Sequence, residues 1–308
     1  MIREVLAYGT PKGRHALATF NYNYELCWDE VMYARTLQQP QADRRYVVDH
    51  TPGVNGYALP LLDGLSWENV LIETLWTITG RHDLDELHRM GSKPTEAVKI
   101  SDREDSDVVP AYTYANRWRR FSWYKGPARF SVADLTMNVE RTFSDQITEA
   151  LEAVKKRELS NRIIVSATGP GLDPVGTTVV RHPMFVLNVQ HVNDPNKAST
   201  YPVLCMHLTT ASANLADDIP ATIASYCLLF LLFSHLTGIK PGIFAHTMVD
   251  MHLLLKEVPD LMKRMEALPK NLPRLTIAES VSLDTLGGYF DVINVDPKPA
   301  LLNFFRLV

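Results

Sequence analysis

Cysteine is scarce in this chain. Its 308 residues include three, Cys27, Cys205 and Cys227. They are odd in number and far apart, which excludes a disulfide framework and a paired-cysteine zinc site and points to a reduced, cytoplasmic setting. Basic charge is not in excess either: the formal net charge is −4, the wrong balance for a nucleic-acid-binding surface. The longest apolar run, 223–236 (IASYCLLFLLFSHL), falls short of the roughly 20 residues that cross a bilayer. It reads as a buried core helix, so no membrane partner is expected. The first residues lack the apolar segment of a secretory signal. No phosphate-binding P-loop, GxGxxG, GxSxG or HExxH pattern occurs.

What is present suits a globular protein with a sizeable core, since 46% of the residues are hydrophobic. Residues 1–60 are polar and rich in turn formers. Residues 66–80 (SWENVLIETLWTITG) read as a helix capped by Ser66 and ended by Gly80. An amphipathic helix is expected over 145–157, and strands over 162–167, 183–192, 203–210, 243–250 and 273–278. Residues 95–110 and 168–180 read as loops. In 203–210, Val203, Cys205 and His207 alternate with Leu204, Met206 and Leu208, which sets the two groups on opposite faces. Pro220 fits the first turn of the apolar helix, which Gly238 closes, and another helix is expected over 254–267. Strands mixed with helices give an α+β layout around one very apolar central helix.

Few residues announce chemistry by themselves. Glu73 lies mid-helix among apolar neighbours, either as a solvated surface carboxylate or as a buried acid/base group. His182, His207, His246 and His252 lack metal-ligand spacing and read as ordinary hydrogen-bonded histidines. The cluster 117–121 (RWRRF) reads as a solvated face around a packed Trp118.

Three stretches taken together carry more: 71–80 (LIETLWTITG), 162–167 (RIIVSA) and 219–252. Their order resembles the thymidylate synthase and pyrimidine nucleotide (dCMP, CMP) hydroxymethylase superfamily. The family's P-x-N-I-A-S-Y-x-L-L is matched by 220–229 (PATIASYCLL), its G-D-x-H by 249–252 (VDMH) and its P-x-L-x-I by 273–277 (PRLTI). The resemblance covers about residues 58–280. It divides the chain into a divergent segment, 1–57, packed on the main domain or serving as a lid, and a thymidylate-synthase-like domain, 58–308.

The resemblance implies an α+β fold with a large twisted mixed sheet. It also implies a back-to-back homodimer with shared active sites, and a nucleotide or analogue as the small-molecule ligand. Members transfer a one-carbon unit from 5,10-methylenetetrahydrofolate to C5 of a pyrimidine nucleotide, and no metal is involved. A cysteine thiolate adds to C6, a glutamate moves protons and arginines hold the phosphate. Carried over residue by residue, Glu73 is the glutamate, Tyr114 a tyrosine near the nucleophile, and Arg162 a phosphate-binding arginine. Ser212, Asp250 and His252 keep ligand-binding positions. Asn214 replaces the aspartate that holds folate, Thr222 the asparagine that reads the pyrimidine edge, and Ala211 a phosphate-binding arginine.

The nucleophile itself is missing. Counted without a gap from Val165, the cysteine's place is taken by Arg181, and His182 matches the histidine that follows. Arginine stays protonated near neutral pH and forms no such adduct. An arginine deep in this pocket needs an anionic partner, either Glu73 or a ligand phosphate or carboxylate. Three functions follow as expectations. One is a divergent protein binding a nucleotide-like or other anionic ligand, with Glu73 as acid/base and Arg181 as electrostatic stabiliser of any one-carbon transfer. The second is a catalytically silent ligand-binding or assembly paralogue. The third is a methyl- or hydroxymethyltransferase that uses Cys205, placed by sequence on a strand close to the nucleotide pocket.

Overall fold

The structure is a computed structural model. It describes residues 1–29, 45–47, 57–60, 65–81, 84–92, 114–125, 140–157, 163–168, 180–194, 196–216, 218–265, 273–286 and 304–307. The expected loop over 95–110 lies outside them, as does most of the loop over 168–180.

Seven helices and twelve strands are built from these residues. The helices are α1 (Ile2–Tyr8), α2 (Trp67–Ile78), α3 (Leu84–Arg89), α4 (Tyr114–Arg119), α5 (Gln146–Lys155), α6 (Asp218–Thr237) and α7 (Val258–Met265). The main sheet uses β1 (Thr10–Lys12), β2 (Ala16–Cys27), β3 (Arg45–Val47), β7 (Ile163–Ser166), β8 (Met184–Asn193), β9 (Thr200–Asn214) and β10 (Lys240–Leu254). Smaller sheets join β4 (Tyr57–Ala58), β11 (Arg274–Ile277) and β12 (Phe305–Leu307), and pair β5 (Phe121–Lys125) with β6 (Glu140–Ser144). This is the α+β fold with a large mixed sheet.

The main sheet runs β1-β2-β10-β9-β8-β7, with β3 beside β2. The β9–β10 pair is parallel, whereas β10–β2, β9–β8 and β8–β7 are antiparallel. A parallel pair needs a crossover, and α6 supplies it. A helix apolar on every side must be covered on every side. The sheet covers one flank of α6, and α2 and α5 cover the others. At 20 residues α6 is long and apolar enough to span a membrane, yet most of it is buried inside this protein. Phe230 and Phe233 on α6 and Phe244 on β10 are fully buried, each stabilising the fold by about 1.5–3 kcal/mol.

Local chemistry sets the ends of these elements. Ser66 Oγ accepts the Asn69 N–H at 3.3 Å and Asp145 Oδ1 accepts that of Thr148 at 3.1 Å, so both helices start on side-chain caps. Gly80 leaves α2 with φ +85°, and a Cβ there would lie 3.1 Å from Arg119 Cγ. The residue both turns the chain and lets α4 approach.

Several elements differ from the sequence reading. β10 extends from 240 to 254 and α7 is confined to 258–265. The polar Asp250 and His252 lie on the strand because its pairing with β2 continues to Leu254↔Ala16. β9 likewise runs on to Asn214. Residues 16–27, hard to read alone, form a strand inside the sheet, with Tyr22, Tyr24 and Leu26 buried. Asn21 takes a left-handed backbone (φ 56°), which breaks the alternation of this strand. Arg117 is buried rather than solvated, and its carbonyl accepts from Gln146 Nε2 at 3.0 Å.

A buried polar bridge fixes three strands in register. His246 on β10 meets Tyr24 Oη of β2 at 2.9 Å through Nδ1 and Thr210 Oγ1 of β9 at 2.6 Å through Nε2. A neutral imidazole has one donor and one acceptor, and the hydroxyls complement it. Burial, then the neighbouring His182 and His207, hold His246 well below its ordinary pKa. The unfolded chain therefore binds a proton near pH 6.5 that the folded chain refuses, so this stability is lost as pH falls below 6.5. Urea unfolding between pH 6.5 and 5 should lose about 1.4 kcal/mol per pH unit for each such histidine. His246→Gln should remove one histidine's share of that slope, and an unaltered slope would show that His246 does not carry it.

Candidate functional site

Glu73 sits on the face of α2 turned toward α6 and is only 1% exposed. Its Oε1 accepts from Asn69 Nδ2, one helical turn earlier, at 2.8 Å and from Ser92 Oγ at 3.3 Å. The solvated reading of this carboxylate is thereby corrected. Glu73 lines a small cleft with Thr74, Thr77, Trp118, Ser225, Tyr226 and Leu229. The Thr74 and Thr77 hydroxyls donate to the carbonyls of Val70 and Glu73, both at 2.8 Å. Glu73 and Ser225 are thus polar side chains in a mostly apolar cleft.

Beside the cleft lies an aromatic cluster that holds His182. The imidazole stacks on Tyr114 with centroids 5.3 Å apart and meets Tyr226 edge-on at 5.3 Å. Its Nε2 lies 3.1 Å from Thr222 Oγ1, and Tyr114 Oη accepts the His182 backbone N–H at 2.9 Å. Burial first and the Arg181 charge second push the His182 pKa down to about 3. Burial pushes the Tyr114 and Tyr226 hydroxyls up. All three rings are neutral near pH 7. His182 Nδ1 is buried and has no hydrogen-bond partner among the described residues.

Arg181, at the start of this stretch, meets an acidic side chain of the chain itself. Its Nη1 contacts Asp218 Oδ1 at 3.2 Å, at the first turn of α6. Asp218 Oδ2 accepts the Asn214 N–H at 2.8 Å. The Asn214 carboxamide is committed at both ends: Oδ1 accepts from Ala216 N at 2.9 Å, and Nδ2 donates to Glu257 Oε1 at 3.3 Å. Arg181, Asp218, Asn214 and Glu257 form one continuous polar chain from β8 across α6 to the end of β10. Asp218 carries no sequence signal beyond being an acidic residue at a helix start, because its partner lies 37 positions away.

The remaining residues occupy the ends of β9 and β10. Ser212 Oγ donates to Asp250 Oδ2 at 3.4 Å, and Lys12, from the β1 end of the N-terminal hairpin, pairs with the same oxygen. His252 lies opposite Asn214, with Nδ1 buried and without a partner among the described residues. Arg162 lies outside the described residues. The structure therefore joins Tyr114, Arg181, His182 and Thr222, sets Glu73 next to them across Tyr226, and gathers Ser212, Asn214, Asp250 and His252 at the sheet end.

Cys205 does not join them. It projects from the sheet face opposite Leu204 and Met206, into a small cluster of Val192, Tyr201, Val203 and Ile243. Burial above all pushes its thiol up to about 11. Its expected closeness to the pocket fails on strand alternation, which turns it away. Cys27 and Cys227 are buried, and none of the three cysteines lines the cleft. Among the described residues no group of three or more His, Cys, Asp or Glu side chains is placed to hold a metal.

The Thr222 contact is testable. Thr222→Val keeps the shape and removes the hydrogen bond to the His182 ring, which should cost about 1–3 kcal/mol in urea unfolding. A loss below about 0.5 kcal/mol would show that the ring does not depend on Thr222.

Comparison with known proteins agrees with this architecture. The family model for thymidylate synthase matches residues 36–301. Human thymidylate synthase is 27% identical over 249 residues, covering 76% of this chain and 72% of the human protein. The thymidylate synthase of equine herpesvirus 2 is 28% identical over 290 residues, covering 91% and 86%. Thymidylate synthase 1/2 of Encephalitozoon cuniculi is 28% identical over 250 residues, covering 76% and 78%. With a match that takes in the Glu73 helix, the His182 strand and the whole of α6, the chain belongs to the thymidylate synthase family.

Proposed function

We propose that this protein is a ligand-binding member of the family that takes a pyrimidine-nucleotide-like ligand at the Glu73–His182 cleft and does not perform thiolate-dependent one-carbon transfer. The observation that carries this reading is Arg181. It stands where the resemblance places the nucleophile, and its charge is bound to Asp218 at 3.2 Å. Addition to C6 of a pyrimidine needs a thiolate within reach; Cys27 and Cys227 are buried, Cys205 lies on the far sheet face, and burial pushes the Cys205 and Cys227 thiols up.

Family members use 5,10-methylenetetrahydrofolate as the one-carbon donor. Asn214, which the resemblance would set against that cofactor, has both ends of its carboxamide engaged within the chain. As a neutral carboxamide it does not bring the charged acceptor that the family's aspartate would offer a folate, so the residue at this position fits the cofactor poorly. The lining of the cleft, rather than its volume, favours a planar ring. Trp118 and Tyr226 give it apolar walls, and the Glu73 carboxylate accepts N–H donors from its floor.

The sheet face opposite the core supports a homodimer. In register across it lie Ile164, Val186, His207, Ala245 and Glu25. Ile164 and Met184 are 46% and 40% exposed, an apolar character that pairing with a second copy would cover. A reduced, cytoplasmic setting agrees with three cysteines that form no disulfide with one another.

Two experiments test this function. Thermal shift against dUMP, dCMP, UMP, CMP and the free nucleosides should show stabilisation by at least one pyrimidine; a flat response across the panel would sink the ligand reading. Incubation with 5-fluoro-dUMP and methylenetetrahydrofolate should leave the intact mass unchanged and form no dTMP from dUMP, whereas a covalent adduct would overturn the loss of thiolate chemistry. A second reading, acid/base catalysis by Glu73, is favoured by the burial of its carboxylate against the cleft. It requires that Glu73→Gln abolish a measurable turnover while leaving the dimer intact.

A further inference from the structure

The hydroxyl and N–H groups around the Glu73 cleft divide into two sets. In the first, the Thr74 and Thr77 hydroxyls donate to backbone carbonyls, Thr222 Oγ1 meets His182 Nε2, and Tyr114 Oη accepts the His182 N–H. In the second, Ser225, Tyr226 and Trp118 line the cleft, and their Oγ, Oη and Nε1 atoms have no hydrogen-bond partner among the described residues. We propose, resting on the pyrimidine-like ligand inferred above, that these three groups are the donors by which the cleft reads its ligand, and that the ring they select is a neutral one bearing carbonyl oxygens. Ser225, Tyr226 and Trp118 are thus specificity-determining residues.

A hydroxyl inside a helix ordinarily returns its proton to the carbonyl one turn back. Thr237 does so on the same helix, donating to the Phe233 carbonyl at 2.7 Å, whereas Ser225 does not. Trp118 and Tyr226 are only 5% and 2% exposed. Groups so enclosed normally have their polar atoms paired, because a donor stripped of water and left unbonded costs about 1–3 kcal/mol. The indole nitrogen and the phenol oxygen are not among the unpaired atoms sealed from solvent, and both residues line the cleft. Burial pushes the Tyr226 pKa well up, so its hydroxyl keeps its proton at neutral pH. An indole N–H only donates, and a serine hydroxyl turns to suit its partner.

Neutral donors select for acceptors. A carbonyl oxygen or a bare ring nitrogen replaces the water that these groups lose when a ligand enters. A purely apolar ring replaces nothing and leaves them unbonded. No Lys or Arg is among the described residues that line the cleft, so an anion gains no countercharge there. Glu73 adds the complement, an acceptor for an N–H carried on the same ring. A ring that alternates carbonyl and N–H groups meets both needs.

Calorimetry on the full chain tests this with uridine as the carbonyl-bearing ring and toluene as the apolar one. Ser225→Ala, Tyr226→Phe and Trp118→Phe should each weaken uridine roughly three- to tenfold, the worth of one hydrogen bond, and should not weaken toluene by that much. Ser225→Ala removes no internal bond and decides alone if the aromatic variants do not fold. A loss of uridine affinity below about threefold in every folded variant would overturn the assignment. A thiol readout keeps that failure apart from failure of the ligand reading. Ser225→Cys should react with a small methanethiosulfonate faster than wild type, and uridine should slow the reaction. Reaction no faster than wild type would show that position 225 does not open on the cleft and would sink the inference whatever binds. Fast reaction with no uridine binding by wild type would instead overturn the pyrimidine reading, and the choice of ring with it.

Discussion

The parallel pairing of β9 with β10 is the constraint from which the rest of this structure follows. Two neighbouring parallel strands cannot be joined by a tight turn, so the chain must leave the sheet and return. It does so through α6, whose sides are almost all apolar and must all be covered. The sheet lies under one side, and α2 and α5 close the others. The site is a by-product of that closure. Glu73 arrives on the covering helix, Ser225 and Tyr226 on the covered one, and His182 at the start of β8 beneath them.

Polar groups in such a place survive only by mutual satisfaction. Glu73 has Asn69 and Ser92; His246 has Tyr24 and Thr210; Arg181 has Asp218. In each case the partner is supplied by the chain itself, which is why these groups can be buried at all. His182 Nδ1 and His252 Nδ1 are the contrast, buried polar atoms without a hydrogen bond among the described residues. The resemblance sets Arg181 where family members carry their thiolate. An arginine there could be tolerated only with a nearby acid, and Asp218 meets that need from the start of the neighbouring helix.

Much of the frame was legible in the sequence. Ser66 and Asp145 cap their helices as their side chains suggest, the 223–236 run is core, and alternation in 203–210 separates Cys205 and His207 from the buried face. Legibility failed where structure depends on partners distant in sequence. The strand at 16–27 hides behind Asn21, whose left-handed backbone interrupts the alternation. Arg117 looked solvated because charge clusters usually are, yet it is buried among helices brought together only by the fold. The family resemblance, and not residue types alone, brought forward Tyr114, His182, Thr222 and Glu73 as candidates. Neither could give the Arg181–Asp218 pair or the commitment of Asn214, because neither partner is marked by spacing.

The place of β2 in the sheet has a kinetic meaning. Tyr24 and His246 bond across 222 positions of sequence, and β10 lies between β2 and β9. During synthesis β2 therefore emerges near the beginning, while the strand that bridges it to the rest of the sheet is among the last to appear. Until then β9 presents an unpaired parallel edge, and β2 has only short neighbours. Such long-range closure makes folding slow and leaves the incomplete chain prone to sticking to other copies. For this protein the vulnerable interval is the time on and just after the ribosome, when its longest strands are waiting for one another.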